Sequence, residues 1–155
     1  MSFNPSSPVT GTAQTGFTSP TYTFVADIAP APNGKQYAIT VAGGTQVGVD
    51  VHSVSKPFTF TFFKPAQLKT LPQANPLTGV IKNVPLNTYK LVTRKGMSPA
   101  VNQNAIVSTI TTIINVPAGC DTYEPEDVKA ALSAHIGILN ANSAGIGDSI
   151  ISGII

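Results

Sequence analysis

The sequence is short of charge. Lys, Arg, Asp and Glu make up 10% of its 155 residues. A lone subunit therefore has few groups to keep its surface solvated, and much of that surface is expected to be buried against other copies. A single cysteine, Cys120, excludes an intrachain disulfide framework. Tryptophan is absent, and the two histidines, His52 and His135, have no second ligand at a recognisable metal spacing. No stretch approaches the roughly 18 uninterrupted apolar residues of a membrane span. The start, from Met1 to Pro5, lacks the basic and apolar regions of a secretory signal. No glycine loop built to cradle phosphate, zinc spacing or serine elbow is present. These gaps lead us to expect a soluble, intracellularly made protein. Catalytic residues, metal, cofactor, membrane and small-molecule substrate are all absent from the reading.

What charge there is lies unevenly. Residues 1–120 carry eight basic groups, Lys35, Lys56, Lys64, Lys69, Lys82, Lys90, Arg94 and Lys95, against Asp27 and Asp50. Residues 121–155 carry Lys129 against Asp121, Glu124, Glu126, Asp127 and Asp148. A basic front and an acidic back suit a protein with one side turned to a polyanion. Part of the acidic cluster also complements a helix start.

Residues 1–20 are rich in Ser, Thr, Pro and Gly without a period, the composition of a flexible arm. Strand signals follow at 21–28 and 35–42, with Gly43-Gly44 as a tight turn into a third strand at 45–52. Alternation is clearest at 58–62, where Phe58, Phe60 and Phe62 take one side and Thr59 and Thr61 the other. A long connection, 64–86, holds room for a short strand near Val80-Ile81. Strands at 88–94 and 104–116 flank a loop at 95–103. Ile106, Ile110 and Ile114 share one face of the last strand with Ser108 and Thr112; Val107, Thr109, Thr111 and Ile113 share the other. Nothing reads as a parallel βαβ unit, so the sheet is an antiparallel meander.

At residue 121 the period changes from 2 to 3.6. Asp121 to Pro125 is a helix-start signature, with Asp121 and Glu124 placed for mutual capping and proline in the first turn. Val128, Ala131, Leu132, His135, Ile136 and Leu139 line one face. Ala130, Ser133, Ala134 and Gly137 on the other side leave room for a close neighbour. Residues 140–143 break the helix, and 144–153 form a second, shorter one. The apolar end, Ile154-Ile155, is expected to dock. His135 reads as a core or interface histidine. A Cys120–His135 nucleophilic pair is disfavoured, because fifteen helical residues separate them by roughly 20 Å.

An antiparallel meander followed by one long and one short helix is an uncommon order. With particular stretches, it resembles the coat proteins of levivirus-type single-stranded RNA bacteriophages. The stretches are Tyr89 to Gly96 (YKLVTRKG), a Thr/Ile-rich strand ending in Val116-Pro117, Asp121 to Asp127 (DTYEPED), and Asn140 to Gly147 (NANSAGIG). The resemblance runs from about residue 21 to the end and is weakest before 55. The order of elements and the C-terminal third carry it, rather than a single motif. The sequence departs from the family in its long N-terminal arm and its long 64–86 connection.

The resemblance implies an α+β fold: a β-meander sheet over about 21–117 and two C-terminal α-helices over about 122–153, in a coat protein domain of residues 21–155. It implies an intertwined homodimer, assembly into an icosahedral shell in the virion, and production in the bacterial host cytoplasm. The inner sheet face would bind and package single-stranded genomic RNA, including an operator hairpin through which translation is repressed. With the phenylalanines on the helix-covered side, Thr59, Thr61, Lys90, Arg94, Thr109 and Thr111 face the RNA. Thr and cationic side chains on a sheet suit phosphate contact, with Arg94 as the planar group for stacking. Lys82 and Lys95 read as loop surface charges. The loop 95–103 lacks cysteine, so covalent rings between subunits are excluded. The competing reading is a self-assembling sheath or pilus-like subunit that takes no nucleic acid.

Overall fold

The computed structural model describes residues 2–155. Six strands form one antiparallel sheet in chain order: β1 (Val9–Thr10), β2 (Thr21–Asp27), β3 (Gly34–Gly43), β4 (Phe58–Phe63), β5 (Leu86–Met97) and β6 (Ile106–Pro117). Three helices follow: α1 (Cys120–Tyr123), α2 (Pro125–Ala141) and α3 (Ser143–Ser152). The expected meander and the C-terminal helices are both present. Asp121 and Glu124 form no capping pair; Gly119 and Glu124 stand at the two helix starts without a side-chain cap.

The core forms where aromatic side chains of β2, β3 and β4 meet on one sheet face. Phe24, Tyr37 and Ile39 are buried, with Tyr22, Phe58 and Phe60 packed against them. Phe60 stacks on Tyr37 at 5.1 Å between ring centroids and meets Phe24 edge-on at 5.0 Å. Each such aromatic pair adds about 1 kcal/mol to what area burial supplies.

This cluster explains why residues 45–52 are not a strand, contrary to expectation. The flank of β3 that they would fill is taken by β4, pairing Tyr37 with Phe60 and Ala38 with Thr59. Three phenylalanines bury more apolar surface there than Val47, Val49 and Val51 could. The 44–57 segment instead becomes a loop. The His52 N–H donates to the Ile39 carbonyl at 2.8 Å, and His52 Nδ1 accepts the Phe58 N–H at 3.1 Å. Val80-Ile81 likewise lies in a loop, not a strand.

The N-terminal arm also departs from the flexible segment expected. Phe3 stacks on Phe62 at 4.8 Å and meets Tyr37 and Phe60 edge-on. Ser7 Oγ accepts the Phe24 N–H at 3.0 Å, and Pro20 is fully buried. Residues 9–20 form a hairpin: β1 pairs with β2, the Gly11 N–H donates to the Pro20 carbonyl, and Gln14 and Phe17 exchange backbone hydrogen bonds across a turn. Gly16, at φ 89°, supplies the left-handed residue of that turn. A Ser/Thr/Pro/Gly composition hides an apolar anchor, Phe3, which seats the segment together with Pro20 and the pairing of β1 with β2.

The helices are placed differently. α1 sits against β6. The chain leaves the sheet through Gly119, at φ 94°, with the Leu71 side chain pressed against it. No residue of α2 or α3 is buried. Between α2 and the sheet lies a cleft of about 800 Å³, with Phe62, Leu91 and Ile114 on the sheet side and Leu132, Ile136 and Leu139 on the helix side.

Candidate nucleic-acid interface

Side chains alternate along strands, so the pairing register decides what shares a face. Thr59 pairs with Arg94, and Arg94 with Thr109; Thr61 pairs with Val92, and Val92 with Thr111; Phe63 pairs with Lys90, and Lys90 with Ile113. The six residues Thr59, Thr61, Lys90, Arg94, Thr109 and Thr111 therefore lie on one sheet face. Phe58, Phe60, Phe62, Leu91, Thr93, Ile110, Thr112 and Ile114 lie on the other, where the arm and helices are.

Sharing a face does not make the six equally available. Lys90, Thr109 and Thr111 are exposed and Arg94 is half-buried. Thr59 and Thr61 are 4% and 0% exposed, so they cannot serve as the contact residues that alternation suggested. Central positions of a sheet face are shielded by longer side chains on neighbouring strands. Thr61 also has an internal partner: its hydroxyl donates to Gln36 Oε1 at 2.8 Å. Gln36 Nε2 in turn donates to Asp27 Oδ2 at 2.7 Å and to the Ile28 carbonyl at 3.2 Å. The hydrogen bond from Gln36, then that from the Ile28 N–H, holds the Asp27 carboxyl below its ordinary range. This polar row orients the Gln36 amide and places an anion at the β2 side of the face.

The cations stand toward the β5–β6 side. Lys90 and Arg94 are four residues apart on one strand, about 13 Å at the rise of extended backbone. Among the described residues the ion pairs are Lys56–Asp50 and Lys129–Glu126, so neither Lys90 nor Arg94 has a carboxylate partner. Lys95 is not the loop charge it was expected to be. It lies in β5 on the helix side, with Nζ 4.8 Å from the centre of the Phe58 ring and donating to the Asp50 carbonyl at 2.6 Å. Burial pushes its ammonium pKa down, against an upward pull from Asp50. Lys82 is in an exposed loop.

Phe63 was missed by a reading that stopped the Phe/Thr alternation at residue 62. It continues the Thr59–Thr61 face into the row of Lys90. Its ring lies over Gly34, where a Cβ would meet it at 2.8 Å. The face thus carries an aromatic plane as well as the Arg94 guanidinium.

β6 ends the sheet. Among the described residues its far side has no strand partner, and it exposes Ile106, Val107, Ile110 and Ile113. An unpaired edge twelve residues long forms a template for another strand. A groove of about 410 Å³ runs beside it, bordered by Ile114 and Val116 of β6 and by Cys120, Leu132 and His135 of the helical segment. Among the described residues, no group of three His, Cys, Asp or Glu side chains could hold a metal ion, and no helix is long and apolar enough to cross a membrane.

No protein-family profile and no curated protein matches the chain. A solved structure does: the virus-like particle of bacteriophage ESE020 contains a chain 56% identical to this one. The match covers 99% of this chain and 100% of that one, with a TM-score of 0.96. A meander sheet with one bare face, an open edge and helices that find no seat on their own sheet is the architecture of a capsid subunit. The chain belongs to the coat proteins of bacteriophages. Its role is that of a structural protein of the virion.

Proposed function

We propose that the chain dimerises, assembles into an icosahedral shell and packages single-stranded genomic RNA on the sheet face that carries Lys90 and Arg94. The observation that carries this reading is the contrast in charge between the Lys90–Arg94 side of the sheet face and the helical segment. Two cations without carboxylate partners stand on the face turned away from the helices, and five of the seven acidic residues lie in the helical segment. A polyanion meets attraction on one side and repulsion on the other.

The dimer follows from the open edge. Antiparallel pairing of β6 with the β6 of a second copy satisfies both edges and makes one continuous sheet. The apolar faces of α2 and α3, exposed on their own subunit, then cross onto the partner. In such a sheet, Lys90 and Arg94 of both copies flank a centre built from Thr109 and Thr111. Four cations around a flat polar centre suit phosphate contact. Phe63 and Arg94 offer planes on which unpaired bases stack, the usual mode for single-stranded RNA. Recognition of an operator hairpin, with repression of translation from the viral RNA, is the specific form of this binding. Synthesis in the host cytoplasm places the subunit beside that RNA. The virus-like particle formed with the similar chain of bacteriophage ESE020 supports shell assembly over a sheath or pilus-like subunit.

The test is expression in bacteria, followed by size exclusion, electron microscopy and absorbance at 260 and 280 nm. With no Trp and 4 Tyr in the chain, packaged RNA dominates the spectrum. Closed particles with a nucleic-acid spectrum are expected. The Lys90→Ala, Arg94→Ala pair should leave dimers intact, deplete packaged RNA, and lower the salt dependence of RNA binding by about 0.7 in log–log slope per cation removed. Dimers that fall apart would show that these residues lie on the helix-covered side. Filaments would exclude the shell.

A further inference from the structure

The tip of the N-terminal hairpin reaches across the molecule to the elbow between α2 and α3. Thr12 Oγ1 donates to Asn140 Oδ1 at 2.7 Å, and Thr15 Oγ1 donates to Asp148 Oδ2 at 2.8 Å. Between them, Gln14 Nε2 donates to Ser143 Oγ. Three side-chain bonds thus join segments 128 to 133 residues apart in sequence. A steric feature coincides with them. The Gln14 carboxamide lies against Gly147, where an added Cβ would collide with it. Gly147 is in the interior of a helix, a position where glycine costs about 1 kcal/mol relative to alanine. The space it leaves is the space Gln14 occupies.

The contact stands at one end of the cleft between α2 and the sheet. Thr12, Asn140 and Ser143 border that cleft, together with the apolar side chains of both walls. The cleft shares Thr112, Ile114, Leu132 and His135 with the groove beside the open β6 edge. It therefore runs from the hairpin tip to the edge at which a second copy pairs, with apolar side chains on both walls, and no element among the described residues fills it.

We propose that residues 12–15 form a latch that holds the α2–α3 elbow above the sheet and keeps this cleft open for a helix of a second copy. The inference rests on the dimer reading given above and adds what sets the height and angle of the helices. Thr12, Gln14, Thr15 and Gly147 act as positioning residues: they touch the elbow and leave the β6 pairing edge untouched. Without the latch, α2 and α3 collapse onto the apolar sheet of their own subunit, and the second copy loses its seat.

Two variants remove the latch in different ways. Gly147→Ala introduces a methyl group against Gln14 while raising the helix propensity of α3, so a weaker dimer cannot be ascribed to a weaker helix. Thr12→Val with Thr15→Val removes two donors at nearly constant volume, and Thr15→Ser in the Thr12 background restores the bond to Asp148. Sedimentation of the 155-residue chain over a dilution series gives the dimer–monomer midpoint; near-ultraviolet circular dichroism checks the aromatic core on the sheet. We expect the midpoint to rise at least about tenfold in Gly147→Ala and in the double valine variant, since each hydrogen bond contributes a factor of a few. Thr15→Ser should sediment like the wild type. A wild type that dimerises alongside variants with unchanged midpoints overturns the latch and leaves the dimer reading standing. A wild type that stays monomeric at every concentration overturns both.

Discussion

The two ends of the sheet are built on opposite terms. At β2–β4 the chain completes itself: seven aromatic rings, including Phe3 of the arm, pack together within a single subunit. At β6 and the helices the same chain leaves its apolar groups in water, with Ile110 at 68% and Ile136 at 56% exposure. Hydrophobicity does not separate these regions, since the first carries Phe, Tyr and Val and the second Ile, Val and Leu. Geometry does. The first region has strands on both flanks and a lid from its own N-terminus; the second has an unpaired edge and helices raised over an empty cleft. One half is closed within the subunit, and the other is left open.

Substitutions that tell the halves apart sharpen that contrast. Phe60→Ala removes the ring that touches Tyr37, Phe24 and Phe3 at once. It should destabilise the folded subunit by about 3–5 kcal/mol, read as a large drop in thermal midpoint. Ile136→Asp should do the reverse: the aromatic-core signal in near-ultraviolet circular dichroism persists while sedimentation shows monomers. Equal loss of folding in both variants would break the comparison, because the helices would then belong to the subunit's own core. Thr61→Val leaves Gln36 Oε1 without its donor in a buried site and should cost about 1–3 kcal/mol with no change in dimer affinity.

The smallest effect is electrostatic. Asp27 has a folded-state pKa below its ordinary value of 3.8. Its contribution is therefore present above that value and disappears as pH falls below it through the folded pKa. Asp27 is exposed, so solvent screening keeps the contribution small. A shallow loss of stability below about pH 4 is expected, and Asp27→Asn should flatten it in acid-titration melts.

Much of this was legible in advance because period-2 patterns report faces directly. Phe58-Thr59-Phe60-Thr61 and Lys90-Leu91-Val92-Thr93-Arg94 placed their side chains on the sides that the register then paired. The position of β6, after the last turn of the meander, is likewise a matter of order. What could not be read is what depends on neighbours two strands away. Thr59 and Thr61 alternate like exposed residues, yet Gln36, Val92 and Arg94 stand around them. Val47, Val49 and Val51 alternate like a strand, yet lose their place to β4. The arm lacks any period, and its order comes from Phe3 finding Phe62, from Pro20 and from the pairing of β1 with β2. The polar row of Asp27, Gln36 and Thr61 joins three strands, and no local pattern announces it.

Gly119 also has a consequence for where the helices lie. It holds a backbone rotation that L side chains rarely adopt, and Leu71 closes off the space a side chain would need. Everything after it, from Cys120 to the terminus, leaves the sheet along the direction this one residue sets. The 17 residues of α2 make an arm of about 25 Å at 1.5 Å per residue. A rotation of about 10° at the pivot therefore swings its far end by about 4 Å, close to the spacing of neighbouring strands. Seen as a lever, Gly119 and Leu71 form the fulcrum through which a change of one torsion angle becomes a displacement of a whole helix.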